Sequence, residues 1–333
     1  MTTDIMTFPG SLIAADKWIV ASWDIEQGKR WPDLQPLSHP SVQNYNAEHG
    51  PAAYRDGCCV NFINAMGVTI GDSIVGLCVC HYLKQRYRSL TINIVRPAVL
   101  SPAVEAVYRA AINTGIIDSL DHMPWPLDRC QDFDINIDMG NQLFRADFQR
   151  LEMHDYFFLH AGIAPAEVPA EYKSNRWLAL NKIDNATAPY VLFCPGASTP
   201  LRAIPSRWHA QIIRELQRRY SLPVKGFCTQ AVPGYEDISL QITTSEAFIR
   251  AIAQASVVYT ADSSALHIAA AFNVPTRAIF TSIDPALRTL YYPNTESVWT
   301  GDSSLLGHHA TSDSALLVHS EKLFGDFYRQ EGF

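Results

Sequence analysis

The sequence predicts an α/β chain of two domains, each with a parallel sheet and helical crossovers. Of its 333 residues, 47% are hydrophobic and 18% are charged, so the chain is too apolar to be disordered. Short apolar runs without polar alternation are typical of strands buried on both faces. Helical patterns separate these runs, which predicts βαβ units. The length favours two domains over one.

The charge balance and the cysteines exclude several classes of function. Lys and Arg total 26 against 33 for Asp and Glu, a net charge of -7. We therefore expect no nucleic-acid partner and at most peripheral contact with a membrane, because both need a basic surface. Seven cysteines without framework spacing indicate reduced thiols in a cytoplasmic protein. The sequence offers no apolar run of spanning length and no signal-peptide pattern.

Residues 1–57 predict an irregular arm before the first domain. This stretch is rich in proline and contains Trp18, Trp23 and Trp31, which we interpret as packing anchors. One short strand is expected near Trp18 to Ser22, and the remainder is rich in turn residues.

Residues 58–180 and 181–333 predict two successive α/β domains. The strand candidates of the first are CCVNFINA, LTINIV and FDINIDM, with two helical patterns before the third. A polar stretch without a clear period, residues 173–188, indicates the linker. The second series begins at PYVLFCPG, includes a helix that Ser245 is expected to cap, and ends in an amphipathic helix that could pack back on the first domain.

The segment VVYTADSSALHIAAAF carries the clearest functional signal. A buried strand ends at Ala261 and a helix of small residues follows, so its first amides lie at the positive end of the helix dipole. At the carboxyl edge of a parallel sheet these amides can bind a diphosphate. Asp262 or Ser263 could instead do no more than cap the helix. The small side chains from Ala265 onward favour a ligand, and His267 lies one turn away.

The segment CPGASTPLRAIPSRW follows the first strand of the second domain. Ser198 and Thr199 offer hydroxyl groups, and Arg202 and Arg207 offer guanidinium groups. An arginine at this edge can bind a phosphate in bidentate fashion. The alternative is an ordinary solvated arginine.

The segment IGDS opens the first helix of the first domain. Asp72 lies near the helix N-terminus, where a carboxylate is favoured. Taken alone, it is expected only to cap the helix. If the two domains face each other, Asp72 lies in the same cleft as Ser263 and Arg202, and it suits a general base that activates a hydroxyl.

Together these segments resemble the heptosyltransferase-like glycosyltransferases of family 9. The family's donor motif, D-[ST]-G-x-x-H-x-A-A-A with a later G-P-T-D-P turn, stands here as DSSALHIAAAF and TSIDP. Its phosphate loop resembles PGASTPLRAIP, and its G-D signature resembles GDSIVGLCVCHYLKQRY. The resemblance covers roughly residues 58–325. It implies the GT-B fold, with two Rossmann-like domains whose parallel sheets face each other across a cleft.

The resemblance also implies roles for individual residues. Asp72 matches the catalytic base, and Arg202 stands where the family has a lysine that neutralises the donor diphosphate. Ser264 replaces the glycine of the donor motif. The residues implied in donor binding are Ser198, Thr199, Glu236, Asp262, Ser263, Ser264, Ala265 and His267.

The implied reaction is an inverting transfer of a heptose from ADP-heptose to a hydroxyl of a surface-glycan acceptor, as in lipopolysaccharide biosynthesis. It needs neither a metal nor a cofactor besides the nucleotide-sugar donor, since cations and helix amides can stabilise the leaving ADP. The acceptor could be a glycan, a glycolipid or a protein. Three alternatives remain: a non-catalytic nucleotide-sugar-binding protein of the same fold, a transferase with another donor, and a sugar-nucleotide epimerase.

Overall fold

The structure is a computed structural model that describes residues 4–45, 50–181, 183 and 188–331. The chain divides into two compact units, Met1–Asn181 and Lys182–Phe333. Each unit contains a parallel sheet with helices between its strands. The predicted α/β class is confirmed. That the two sheets face each other across a cleft stays a prediction.

Unit 1 combines a parallel sheet with a smaller antiparallel one. The parallel sheet has the order β6-β5-β4-β8, and the antiparallel sheet has the order β3-β1-β2-β7. The elements are β1 Leu12–Ala14, β2 Trp18–Val20, α1 Ser22–Glu26, β3 Leu34–Pro36, β4 Cys59–Ile63, α2 Ile70–Arg86, β5 Thr91–Arg96, α3 Pro102–Asn113, β6 Ser119–His122, β7 Trp125–Pro126, β8 Ile135–Asp138 and α4 Met153–His160.

A ladder of three buried asparagines fixes the register of the parallel sheet. Asn93, Asn61 and Asn136 stand side by side on β5, β4 and β8. The Asn93 amide donates to the Asn61 oxygen at 3.0 Å, and the Asn61 amide donates to the Asn136 oxygen at 3.0 Å. A slip of one residue would break this ladder and leave buried amides unsatisfied. The carboxyl ends of all three strands therefore meet at one edge.

The N-terminal residues are more regular than the irregular arm that the sequence predicts. β2 matches the expected strand, but β1 pairs with it and β3 pairs with β1, both antiparallel. α1 is held by Asp24, a buried carboxylate that accepts the amides of Ala98 at 2.9 Å and Val99 at 2.8 Å. Strands of three residues carry too little period-2 alternation to be recognised.

A second buried carboxylate, Asp138 at the end of β8, fastens the N-terminal segment to the parallel sheet. It accepts the amide and the hydroxyl of Ser11, each at 2.7 Å. It also accepts the side-chain amide of Asn44 at 3.1 Å and the backbone amide of Gly140 at 3.0 Å. Four donors on one buried anion satisfy its hydrogen-bonding capacity.

Unit 2 contains one parallel sheet with the order β11-β10-β9-β12-β13-β14. Its two edge strands, β11 and β14, are not predicted because their polar residues hide the strand pattern. The elements are β9 Val191–Cys194, α5 His209–Tyr220, β10 Val224–Gly226, β11 Tyr235–Asp237, α6 Ser245–Ala253, β12 Val257–Ala261, α7 Ser264–Ala271, β13 Thr276–Phe280, α8 Ala286–Thr289, β14 Thr295–Trp299 and α9 Ser314–Glu331.

Two details differ from the sequence interpretation. The cap of α6 is Thr244, whose side chain accepts the Ala247 amide, rather than Ser245. The first part of the expected linker packs within unit 1, where the buried Trp177 indole donates to the Ile74 carbonyl at 2.8 Å. Most of the remaining linker lies outside the described residues.

The last helix, α9, packs on the core of unit 2. That it also packs back on the first domain stays a prediction. Phe324 and Tyr328 enter the core of unit 2, and their rings lie 6.1 Å and 5.1 Å from that of Trp208. No helix in the described part of the chain is both long and apolar enough to cross a membrane.

Replacement of Asp138 by alanine should destabilise unit 1. The variant leaves the Ser11 and Gly140 amides buried without their acceptor, so we expect a loss of about 3 kcal/mol in the free energy of unfolding. Denaturant titration followed by circular dichroism measures it. The exposed Asp132→Ala in the same unit is the control and should change stability by less than about 0.5 kcal/mol. Equal effects of the two variants would contradict this role of Asp138.

Candidate functional site

Arg202 joins two loops at the carboxyl edge of the unit 2 sheet. It ends a 3-10 turn, Pro200–Arg202, in the loop after β9. Its Nε donates to Asp262 Oδ2 at 2.9 Å and its Nη2 donates to the Asp262 carbonyl at 2.7 Å. Its Nη1 donates to the hydroxyl of Ser198 at 3.0 Å. The guanidinium thus links the loop after β9 to the residue that precedes the cap of α7.

The partner of Arg202, Asp262, is buried and ionised. Burial alone would raise the pKa of the Asp262 carboxyl, but the positive charges of Arg202 and Arg288 outweigh it and hold that pKa below its usual value. Arg288 is a buried residue of α8. The positive charges of two guanidinium groups therefore act on one buried carboxylate in this cluster.

The segment between β14 and α9 contributes a histidine to the same cluster. The Thr199 hydroxyl donates to the backbone carbonyl of His309, which ties this segment to the loop after β9. Burial, Arg202 and Arg288 all lower the pKa of the His309 imidazole, although Asp262 opposes them. A histidine whose pKa lies below its ordinary value is largely neutral at pH 7.

The start of α7 is capped by its own sequence. Ser263 is the N-cap, and its hydroxyl accepts the Ala265 amide at 3.3 Å. Ser263 therefore caps the helix. That this segment also binds a diphosphate stays a prediction. The cap occupies the Ala265 amide, one of those expected to meet the diphosphate. Ser264 is the first helical residue and is half-buried.

His267 lies on the buried side of α7. Its Nδ1 is 2.7 Å from the Tyr292 hydroxyl, and both residues are buried. The two rings meet edge to face with centroids 5.8 Å apart. This pair braces α7 against the segment between α8 and β14. A direct contact of His267 with a donor stays a prediction.

Glu236 is not part of this cluster in the described contacts. It lies on the edge strand β11, in register with Lys225, and its carboxylate is 3.2 Å from the Lys225 ammonium. It also accepts from the Gln241 amide at 3.2 Å. These partners lower the pKa of Glu236, led by the hydrogen bond from Gln241. Its predicted role at the nucleotide ribose stays a prediction.

Asp72, the predicted base, is the third residue of α2 in unit 1. Thr69 caps this helix, and its hydroxyl accepts the Asp72 amide at 3.3 Å. The interpretation of Asp72 as the cap itself is therefore wrong. Its carboxylate packs closely against Gly67. A side chain at that position would not fit, because its Cβ would be 2.7 Å from Asp72 Oδ2. Asp72 is half-buried, and the positive end of α2 favours its charged form.

The structure brings together Ser198, Thr199, Arg202 and Asp262, as the two donor segments predict. It adds Arg288 and His309, which sequence reasoning missed. Arg288 follows the recognised TSIDP turn by three residues, so the turn could have indicated it. Nothing in the local sequence marks His309. In the described part of the chain, no group of three or more His, Cys, Asp or Glu side chains is placed to hold a metal ion.

Solved structures resemble this chain over most of its length. The iron-containing dodecameric glycosyltransferase TibC from enterotoxigenic E. coli H10407 matches with 14% identity and a TM-score of 0.50, over 83% of this chain and 77% of that one. Heptosyltransferase TibC in complex with ADP-D-β-D-heptose matches with 13% identity and a TM-score of 0.50, over 92% and 81%. E. coli heptosyltransferase WaaC with ADP matches with 14% identity and a TM-score of 0.47, over 76% and 96%.

At these identities the likeness shows the fold alone, and the fold is that of the GT-B glycosyltransferases. The sequence identifies one family within the GT-B glycosyltransferases. The family model for glycosyltransferase family 9 (heptosyltransferase) matches residues 141–313, more than half of the chain. The chain belongs to this family. No curated protein matches the sequence.

Loss of Arg202 should destabilise unit 2 as well as the site. Arg202→Gln leaves the buried Asp262 carboxylate without its main counter-charge, and we expect unfolding to become easier by about 3 kcal/mol. Adding Asp262→Asn should recover part of this loss, because the uncompensated charge is then absent. Denaturant titration of the single and double variants checks both statements.

The exposed Arg218→Gln on α5 is the matched control for charge removal. It should leave stability within about 0.5 kcal/mol of the parent chain. Strict additivity of Arg202→Gln and Asp262→Asn would show that the two side chains do not act as a buried pair.

Proposed function

We propose that this chain is an inverting glycosyltransferase that transfers a heptose from ADP-heptose to a hydroxyl of a surface-glycan acceptor. The observation that carries the proposal is the Arg202 cluster, which lies within the segment that the family model covers. The Arg202 guanidinium stands at the carboxyl edge of a parallel sheet, where α/β folds bind nucleotides. The fixed guanidinium and the first turn of α7 together suit a diphosphate.

In this proposal unit 2 stabilises the leaving group. The bond between the anomeric carbon and the β-phosphate oxygen breaks, and ADP departs with the electron pair. Arg202 stabilises the negative charge that develops on the phosphate, and the positive charge of Arg288 adds to this stabilisation. Arg202 is preorganised because Asp262 and Ser198 hold it in place before any substrate arrives. Two cations acting this way make a metal ion unnecessary in the proposed reaction.

Unit 1 supplies the base. The Asp72 carboxylate takes the proton of the acceptor hydroxyl while that oxygen forms its bond to the anomeric carbon. Attack opposite the departing ADP inverts the configuration at that carbon. At the end of the step the proton is on Asp72 and the additional negative charge is on ADP. We place this reaction in the cytoplasm, in lipopolysaccharide assembly, with a glycan or glycolipid as acceptor.

Replacement of Asp72 by asparagine should abolish transfer without weakening donor binding. General-base catalysis contributes about 100-fold to 10,000-fold, so turnover should fall by at least about 100-fold. Transfer is followed by release of ADP from ADP-heptose in the presence of an acceptor extract, and binding by isothermal titration with ADP-heptose. The exposed Asp132→Asn in the same unit should behave like the parent chain. Turnover that survives Asp72→Asn would remove Asp72 from this role.

The donor can be identified by thermal shift across ADP-, UDP-, GDP- and CDP-sugars. A ligand at about 100 times its Kd adds about 2.7 kcal/mol to stability, so the correct nucleotide should raise Tm by several degrees. We expect ADP-heptose to give the largest shift, and Arg202→Lys to reduce it. A larger shift with another nucleotide would indicate a different donor. Binding of ADP-heptose without transfer to any acceptor would favour a non-catalytic nucleotide-sugar-binding protein.

A further inference from the structure

Arg96 is a buried guanidinium at the carboxyl end of β5 that the reaction described above does not use. The side chain is completely buried. Its Nη1 lies within hydrogen-bonding distance of three oxygens, which are the carbonyls of Ala65 and Gly67 and the hydroxyl of Tyr108. The Tyr108 ring also lies under the guanidinium, with its centroid 4.3 Å from the central carbon. Arg96 therefore binds the loop that leads from β4 to α2.

These hydrogen bonds involve only one of the three guanidinium nitrogens of Arg96. In the described part of the chain, Nε and Nη2 of Arg96 find no hydrogen-bond partner although both are buried. A buried charge with unused donors is destabilising, and an apolar side chain of similar size would avoid the penalty. The carboxylates whose negative charges act on Arg96 are those of Asp72 and Glu105. The arginine thus stands in the field of the proposed base.

Gly67 lies between Arg96 and Asp72: its carbonyl accepts a hydrogen bond from Arg96, and its Cα faces the Asp72 side chain. It has φ +72°, and a Cβ at this position would lie 2.5 Å from the Cβ of Asp72. Arg96 Nη1 holds the Gly67 carbonyl at 2.6 Å, and the Tyr108 hydroxyl accepts the preceding amide, that of Met66, at 3.1 Å. The surface on which the Asp72 carboxylate lies is therefore fixed by Arg96 and Tyr108.

We propose that Arg96 is a positioning residue for Asp72: it holds the 65–67 loop against the carboxylate and keeps a positive charge beside it. This inference rests on the proposed role of Asp72 as base. Because Arg96 is fully buried, it acts through the loop and its field rather than by touching a substrate. A base displaced by about 1 Å loses about 100-fold in rate. Donor binding, which we assign to unit 2, does not depend on it.

Kinetics of Arg96→Met, Arg96→Lys and Tyr108→Phe test the proposal. Arg96→Met should lower kcat by about 100-fold with the KM for ADP-heptose unchanged, because only the base is misplaced. Arg96→Lys keeps the charge and should recover part of kcat. Tyr108→Phe keeps the ring and removes the hydroxyl that holds the loop, so it should lower kcat to a smaller extent. The exposed Arg109→Met on α3 is the matched control and should leave kcat unchanged.

A double-variant cycle separates positioning from general damage to the fold. If Arg96 acts through Asp72, adding Arg96→Met to Asp72→Asn should cause little further loss of kcat. A purely structural arginine would lower the residual rate of Asp72→Asn by the same factor as that of the parent chain, and this result would overturn the proposal. If Arg96→Met does not fold, the same cycle is measured with Tyr108→Phe.

A readout independent of activity distinguishes failure of this inference from failure of the proposed function. Carbon NMR of the Asp72 carboxyl follows its titration in the parent chain and in Arg96→Met. Removal of a neighbouring positive charge should move the midpoint to higher pH. Glu105 and Tyr108 on α3 and Tyr156 on α4 also face this region and remain in both proteins. An unchanged midpoint would overturn the proposal even in a chain that transfers sugar, and a shifted one would support it even where no transfer is found.

Discussion

At the carboxyl edge of the parallel sheet in each unit, a largely buried guanidinium group determines the conformation of the loops around it. These groups belong to Arg96 and Arg202. A charge removed from solvent needs oxygen atoms close by, and the backbone must supply those that side chains do not. In unit 1 the 65–67 loop turns its carbonyls toward Arg96. In unit 2 Asp262 offers both its carboxylate and its carbonyl to Arg202. The loops on which the proposed chemistry depends therefore have their shapes set before a ligand binds.

The two arginines differ in what they can reach. Arg202 keeps 18% of its side-chain surface exposed and contacts the exposed Ser198, so a ligand can approach it. Arg96 is fully buried and can influence a substrate only through Gly67 and Asp72. This difference in exposure is consistent with the roles that we propose, ligand binding for Arg202 and positioning for Arg96. The Asp262 and Asp72 carboxylates differ in the same way: Asp262 is buried against Arg202, and Asp72 is half-buried.

Much of this organisation is predictable from the sequence, and the reasons for the rest are physical. Buried parallel strands appear as apolar runs, so β4, β5, β9 and β12 are recognisable, and the helix start after Ala261 carries its own polar signal. The three-residue strands β1 and β3 are too short to show a period. Arg96 and His309 acquire their importance from contacts between residues distant in the chain, and local sequence cannot register such contacts. Buried polar groups are for this reason the hardest part of a site to predict.

The same geometry distinguishes Arg202 from the lysine that the resemblance implies at this position. A lysine ammonium is a single point charge, whereas the planar guanidinium has five N–H donors on three nitrogens. Arg202 uses one donor on each nitrogen for the Asp262 carboxylate, the Asp262 carbonyl and the Ser198 hydroxyl. Among the described contacts of Arg202, two donors, one on each terminal nitrogen, remain for a ligand. An arginine at this position can therefore be locked to the protein and still present a fixed pair of N–H groups, which an ammonium held by Asp262 could not do with the same orientation.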